Sequence, residues 1–175
     1  MFDGAYMSRF EDYGFNFEDN EDENMRTFTA DFETTTDPND CRVWAYAVCD
    51  IKDPGFVQFG NSIEGFISWC EMAANCQIYF HNLGFDGAFL LDYLLNNGWT
   101  WVEDSQSTDD RTFTCLISDM NQMYSIVLYF NKYRKVAIYD SLKVIPLSIK
   151  QMAKAYGLDE GQGELDYETD RKSVV

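Results

Sequence analysis

The sequence predicts an α/β domain built on one sheet of mixed strand direction. Three observations carry that prediction. Residues Thr27 to Glu33 alternate with period two, as a half-buried strand does. Two later stretches, 63–74 and 85–96, repeat their apolar residues at helical spacing. Short apolar runs at 42–50, 56–59, 77–81, 112–117, 123–130 and 135–139 supply further strands. Strands first, then helix, strand and helix, is the order of a mixed sheet flanked by helices.

Each element has its own local reason. Thr27-Phe28-Thr29-Ala30-Asp31-Phe32-Glu33 sets its acids on one face and its aromatics on the other. Asp37-Pro38-Asn39-Asp40 reads as a turn. Arg42 to Asp50 and Phe56 to Phe59 follow as antiparallel neighbours, because the links are too short for crossovers. Ser62 predicts a helix N-cap, with Glu64 and Gly65 in the first turn. Ile63, Phe66, Ile67, Cys70 and Ala74 form the buried stripe of that helix. Gln77 to His81 returns as a strand. Phe85 to Asn96 reads as a helix with Phe89, Leu90, Tyr93 and Leu94 on one side, closed by Gly98. Glu103 to Arg111 is a polar loop, three strands follow, and Ser148 to Tyr156 is a last helix ended by Gly157.

Composition narrows the class. At 175 residues with 46% hydrophobic and 17% aromatic content, the chain can bury a core. No apolar run is long enough to cross a membrane, and the N-terminus lacks the basic-then-apolar pattern of a secretory signal. Cys41, Cys49, Cys70, Cys76 and Cys115 lack CxxC spacing, and read as reduced core thiols of a cytosolic protein rather than zinc ligands. The net charge of −17 argues against a broad nucleic-acid-binding surface.

That charge is uneven. Residues 1–25 hold eight acids against Arg9, interleaved with Phe2, Tyr6, Phe10, Tyr13, Phe15 and Phe17. They read as an acidic, aromatic-containing tail ahead of a domain spanning 26–175. A solvated tail, a docking peptide and a DNA mimic all fit that composition. Basic residues gather at Lys132, Arg134, Lys135, Lys143, Lys150 and Lys154, so a local positive surface can coexist with an acidic whole.

Chemistry concentrates in two short motifs. Asp31-Phe32-Glu33-Thr34 puts two carboxylates at i and i+2, hence on one face of a strand. His81-Asn82-Leu83-Gly84-Phe85-Asp86 delivers an amide and a third carboxylate from the start of a helix. Carboxylates converging from two elements suit hard divalent cations such as Mg²⁺ or Mn²⁺. Two such ions can serve phosphodiester hydrolysis. Taken singly, each motif has a plainer reading: an exposed strand face, helix-capping groups at Asn82 and Asp86, and a packing histidine at His81.

Taken together, the motifs resemble a family. Thr29 to Thr36, Cys41-Arg42-Val43-Trp44-Ala45-Tyr46, Tyr79 to Phe89, and Ile138-Tyr139-Asp140-Ser141-Leu142-Lys143 are similar to the N-terminal 3′–5′ exonuclease domain of protein-primed family B DNA polymerases from small tailed phages. The likeness runs over residues 27–167 in the family's order. It implies a ribonuclease H-like fold of the DnaQ exonuclease type, a two-metal Mg²⁺ or Mn²⁺ site, and a role in DNA replication in the cytoplasm of a bacterial host.

The resemblance also assigns roles. Asp31 and Glu33 match the family's first exonuclease motif, and Asn82 and Asp86 match the second. Asp31, Glu33 and Asp86 are then the catalytic and metal-site carboxylates, with Asn82 and Phe85 positioning a frayed single-stranded 3′ end. Thr34, His81, Ser141 and Leu142 match positions that contact single-stranded DNA or the terminal protein primer. Tyr167 matches a tyrosine near the exonuclease site. Two departures accompany the match. The third motif, Tyr-x-x-x-Asp, is not found before Val175, and Tyr167-Glu168-Thr169-Asp170 has the wrong spacing. Gln162 stands where the family usually has a lysine. The resemblance therefore implies a domain cut short at its C-terminus, without the third motif or the polymerase module, and weak hydrolysis by this polypeptide alone.

Three readings follow. The chain is the proofreading portion of a phage DNA polymerase, a standalone exonuclease-like protein that binds 3′ ends, or a protein-interaction module using its acidic tail. The density of matched motifs favours the first.

Overall fold

The structure is a computed structural model and describes residues 25–35, 37, 39–103 and 110–158. Eight strands form one mixed sheet in the order β3-β2-β1-β4-β8-β7-β6-β5. They are β1 (Arg26–Thr34), β2 (Val43–Asp50), β3 (Val57–Gly60), β4 (Cys76–Phe80), β5 (Thr100–Trp101), β6 (Thr112–Ile117), β7 (Met123–Asn131) and β8 (Arg134–Asp140). The helices are α1 (Ile63–Ala73), α2 (Leu83–Asn96), α3 (Ser141–Val144) and α4 (Ile149–Tyr156). As the short links require, β1, β2 and β3 are antiparallel neighbours. The crossover through α1 makes β4 parallel to β1, and β8 is parallel to β4.

Period-two alternation decides the faces. Phe28, Ile78, Ile138 and Ile126 are register partners across β1, β4, β8 and β7, and none has exposed surface. Both long helices cover this face. Phe66 of α1 meets Phe32 and Phe80 edge-on at 5.0 and 5.8 Å, and Trp69 meets Phe28 at 5.0 Å. In α2, Leu90 and Leu94 are fully buried, and Gly87 lets the helix approach β7. A Cβ there would collide with Met123 Sδ and touch Ile126. The adjacent residues Thr29, Tyr79, Tyr139 and Ser125, which are register partners in turn, form a row on the opposite face.

Local signals place most helix ends. The Ser62 hydroxyl accepts from Gly65 N–H at 3.1 Å, as an N-cap should. Ser148 and Gln151 form a full capping box at α4, and Gly157 closes that helix at φ 66°. Three features depart from the sequence expectation. Helix α2 begins at Leu83 rather than Phe85, because Asn82 takes the left-handed conformation that turns the chain into it. The two-residue β5 and the one-turn α3 are too short to show a period. Helix α4 has no buried residue despite its amphipathic pattern.

Among the cysteines, Cys70 and Cys76 are buried and free, Cys49 and Cys115 are half-buried, and Cys41 is exposed rather than core. Burial pushes the Cys70 thiol well up and the Cys76 thiol to about 11, which makes both poor nucleophiles. No helix among the described residues is long and apolar enough to cross a membrane.

Phe32 links core to chemistry, since its flanking residues are Asp31 and Glu33. Its ring lies 5.0 Å from both Phe66 and Phe80, and only 5% of the residue is exposed. Phe32→Ala is expected to cost about 3–5 kcal/mol in urea unfolding. A loss below about 1 kcal/mol would show that β1 is held without this anchor.

Candidate active site at the carboxyl ends of the central strands

The site forms where β1 and β4 part. Their parallel pairing runs from Arg26 with Cys76 to Thr29 with Tyr79 and then ends. Strand β1 continues through Ala30 to Thr34, still paired with β2. Asp31 and Glu33 thus stand on the segment that has left β4, and the first turn of α2 follows directly from β4. Ligand sites of open α/β sheets lie in this position, outside the carboxyl ends of parallel strands.

Asp86 is the buried member, 4% exposed in the first turn of α2. Its Oδ1 has no hydrogen-bond partner. Burial pushes its carboxyl up to about 7, and negative charge on Asp31 and, less strongly, Asp140 pushes the same way. Backbone N–H groups of Asp86 and Phe32 offset part of this. Asp31 is exposed as a residue, yet protein crowding its carboxyl raises its pKa. The Phe32 amide and the His81 ring pull it partly back. Glu33 is half-buried beside them. Two carboxyls, one raised by the charge of the other and carrying an orphaned oxygen, form a hard-oxygen donor set that fits a divalent cation. Among the described residues, no three His, Cys, Asp or Glu side chains are grouped closely enough to hold a metal ion.

The other predicted residues line the same end of the sheet. Asn82 is left-handed at φ 69°, and its side chain makes no capping bond, so it is not spent as a helix cap. Phe85 is 54% exposed on the first turn of α2 and meets Phe89 edge-on at 5.6 Å. Thr34 is half-buried at the end of β1, where the register with β2 shifts. His81 and Ser141 meet at 3.1 Å through Nδ1 and Oγ, and the Ser141 hydroxyl donates to the Phe80 carbonyl at 3.1 Å. A serine has one proton to give, so Nδ1 of His81 carries its own and donates to Oγ. Its Nε2 is then left for other partners. Leu142 is half-buried in α3. Tyr167, Gln162, the Tyr167–Asp170 stretch and the acidic tail through residue 24 lie outside the described residues.

One residue of the site had been assigned no role from sequence. Asp140 is 2% exposed, and its Oδ1 accepts from Asn82 N–H at 3.0 Å and Leu142 N–H at 2.9 Å. Lys143 Nζ lies 3.8 Å from Oδ2. The available signal was an Asp at a strand end followed by Ser-Leu-Lys, the pattern of an N-cap.

Residues 68–175 match the family described as DNA polymerase type B, organellar and viral. The chain belongs to that family. The chain is 40% identical to the DNA polymerase of Bacillus phage PZA over 150 residues, which cover 83% of the chain and 26% of that protein. It is 31% identical to the DNA polymerase of Streptococcus phage Cp-1 over 149 residues, 78% of the chain and 24% of the relative. The chain thus spans about a quarter of the length of the relatives it matches. The structure of phi29 DNA polymerase complexed with single-stranded DNA superposes with a TM-score of 0.73 at 38% identity, over 82% of this chain and 25% of the other. The mixed sheet is therefore the ribonuclease H-like fold expected from the motifs.

The raised Asp86 pKa has a stability consequence. As pH rises, the unfolded chain releases this proton first, near the ordinary value of about 3.9. The contribution of the neutral carboxyl to stability is full below that pH. It is lost progressively as pH approaches the folded-state value of about 7. With chelator present, Asp86→Asn should therefore raise Tm at pH 8 and give no gain at pH 4. An equal shift at both pH values in calorimetry would contradict the assigned cause.

Proposed function

We propose that the chain is the N-terminal proofreading portion of a protein-primed phage DNA polymerase, and that its carboxylate notch receives the single-stranded 3′ end of DNA. The observation that carries this reading is the juxtaposition of Asp31 and Asp86, close enough for charge on Asp31 to oppose ionisation of the buried Asp86, beside the exposed Phe85. An acidic notch repels a phosphodiester unless a cation neutralises it, and the donors present are those of Mg²⁺ or Mn²⁺. Asp31 and Asp86 would hold such an ion, with Glu33 as the third donor that the motif match assigns although the three are not grouped as a closed site. Lewis-acid polarisation of the terminal phosphodiester is the chemistry that bound divalent cations would supply there.

The chain's own residues do the holding. Phe85 offers a face for stacking the terminal base, which binds a strand without reading its sequence. Asn82, with an uncommitted side chain, and His81, with Nε2 left over, are placed for hydrogen bonds to the last nucleotide or its phosphates. Thr34, Ser141 and Leu142 complete the surface for the strand and for a terminal protein primer, and Tyr167, outside the described residues, is assigned to it by its motif match alone. The domain assignment follows the same reading: an acidic tail over 1–25 and the exonuclease-like unit from 26 onward. Replication in the host cytoplasm is the setting that this reading gives the protein.

A second reading, binding without efficient cleavage, is favoured by Gln162. A neutral amide cannot supply the positive charge that a lysine would bring to the scissile phosphate. One experiment separates the two. The full chain is incubated with a 5′-labelled single strand in Mg²⁺ or Mn²⁺, and both binding and shortening are followed. Stepwise loss from the 3′ end, abolished in Asp31→Ala, supports proofreading, whereas binding with no shortening supports the second reading. Phe85→Ala is expected to weaken binding roughly 5- to 150-fold, the worth of one base stacked on an aromatic ring. No binding of the strand by the wild-type chain would sink both readings.

A further inference from the structure

The carboxylate of Asp140 joins two elements that the sequence separates by 58 residues. Its Oδ1 accepts from the Asn82 amide at the entry to α2 and from the Leu142 amide in α3. Asn82 holds a left-handed backbone, uncommon for any residue but glycine. Its N–H donates to Asp140 Oδ1 at 3.0 Å. In α3, the bond to Leu142 places Ser141, whose hydroxyl bridges the Phe80 carbonyl and the His81 ring. Four hydrogen bonds therefore close a loop through residues 80, 81, 82, 140, 141 and 142. Asp140 is the only one of the six that accepts two of them through one side-chain oxygen.

We infer that Asp140 is a positioning residue for the strand-binding surface. It sets Asn82, His81 and Ser141 relative to the carboxylates on β1 and α2. With 2% of its surface exposed, it does so without touching the strand. A carboxylate suits this task better than a neutral acceptor. Both partners are amides at helix starts, and an ionised acceptor makes shorter and stronger bonds to them. The oxygen that accepts no hydrogen bond, Oδ2, faces Lys143, whose ammonium also lies 5.8 Å from the Tyr124 ring. Lys143 balances the buried charge and leaves the two amide bonds to Oδ1. The inference rests on the proposed reading of His81, Asn82 and Ser141 as strand contacts.

The test uses the full chain with Ca²⁺ and a 3′-hydroxyl oligodeoxythymidylate, together with amide exchange followed by NMR. Asp140→Ala should raise Kd at least tenfold and speed exchange at Asn82 and Leu142, with Ile78 and Ile138 still protected. Asp140→Asn, which keeps an acceptor of the same shape, should recover part of the affinity. Lys143→Met should leave both amides protected and change Kd less than Asp140→Ala does. If Asp140→Ala fails to fold, Asp140→Asn carries the test through a measurable rise in Kd over a protected core. Wild-type affinity in a folded Asp140 variant, even one with a lowered Tm, would reduce the residue to a structural role and overturn the inference. A wild-type chain that does not bind the oligonucleotide overturns the reading of the whole surface instead.

Discussion

Phe28, Ile78, Ile138 and Ile126 lie side by side across four hydrogen-bonded strands, each without exposed surface. This row fixes the register of the central sheet. Because side chains alternate strictly along a strand, the register also fixes which face carries each later residue. Counting forward from Phe28, Ala30 and Phe32 must face the helices, and Asp31 and Glu33 must face away. A slip of one residue would bury two carboxylates against Phe66 and Phe80 and expose Phe32. The cost of two unpaired charges in that core, several kcal/mol each, excludes the alternative. The placement of the acids is thus a consequence of apolar packing three to five residues earlier.

Three buried carboxylates show how differently the fold treats charge. Asp50 is compensated: the Lys52 amide and the Arg26 guanidinium, 3.1 Å away, hold its carboxyl below the usual range. Arg26 in turn lies over the Phe28 ring, so the ion pair also seals the edge of the core. Asp140 is partly compensated, by two amides on one oxygen and an ammonium near the other. Asp86 is opposed by neighbours of its own sign, and one oxygen lacks a partner. The carboxylates become less satisfied on going from the amino end of β1 to the notch at its carboxyl end. Folding alone would favour an amide or an apolar group at Asp86, so its presence points to a task other than stability.

Much of this was legible in the sequence, for reasons that differ by element. Period-two alternation in β1 and the caps at Ser62 and Ser148 are local signals, and each stands where local physics puts it. The motifs around Asp31 and Asp86 were readable as a site because their residue types make sense together. Other features depend on partners distant in the chain. Helix α3 exists because Asp140, Phe80 and Asn82 meet, and four residues give no period to detect. Strand β5 is defined by its pairing with Thr112 and Phe113. The role of Asp140 could not be read from its neighbours, because one of its two amide partners lies 58 residues away. The entry to α2 lies two residues earlier than the composition suggests, since the left-handed turn at Asn82 replaces a side-chain cap.

The separation between Asp31 and Asp86 depends on two different mounts. Asp31 is carried by β1, which is braced by β2 on one side and by the Phe32 ring against α1 below. Asp86 is carried by α2, which is fixed to the other half of the sheet. Asp140 of β8 holds its first turn, and Gly87 sits against Met123 and Ile126 of β7. At its far end Arg111 reaches the Asn97 carbonyl, and Trp99 packs edge-on to Phe130. The two mounts meet through β4, which pairs with β1 over four residues and with β8 over five, and through the Phe32 amide, which hydrogen-bonds the Asp86 carboxylate. A disturbance of β4 or of the β8 end would therefore move one carboxylate relative to the other while leaving each locally intact. Such a change would alter the charge repulsion within the pair before it altered the stability of either half. The short parallel strand Cys76–Phe80, which contributes no acid of its own, is therefore one of the elements that set how Asp31 and Asp86 face each other.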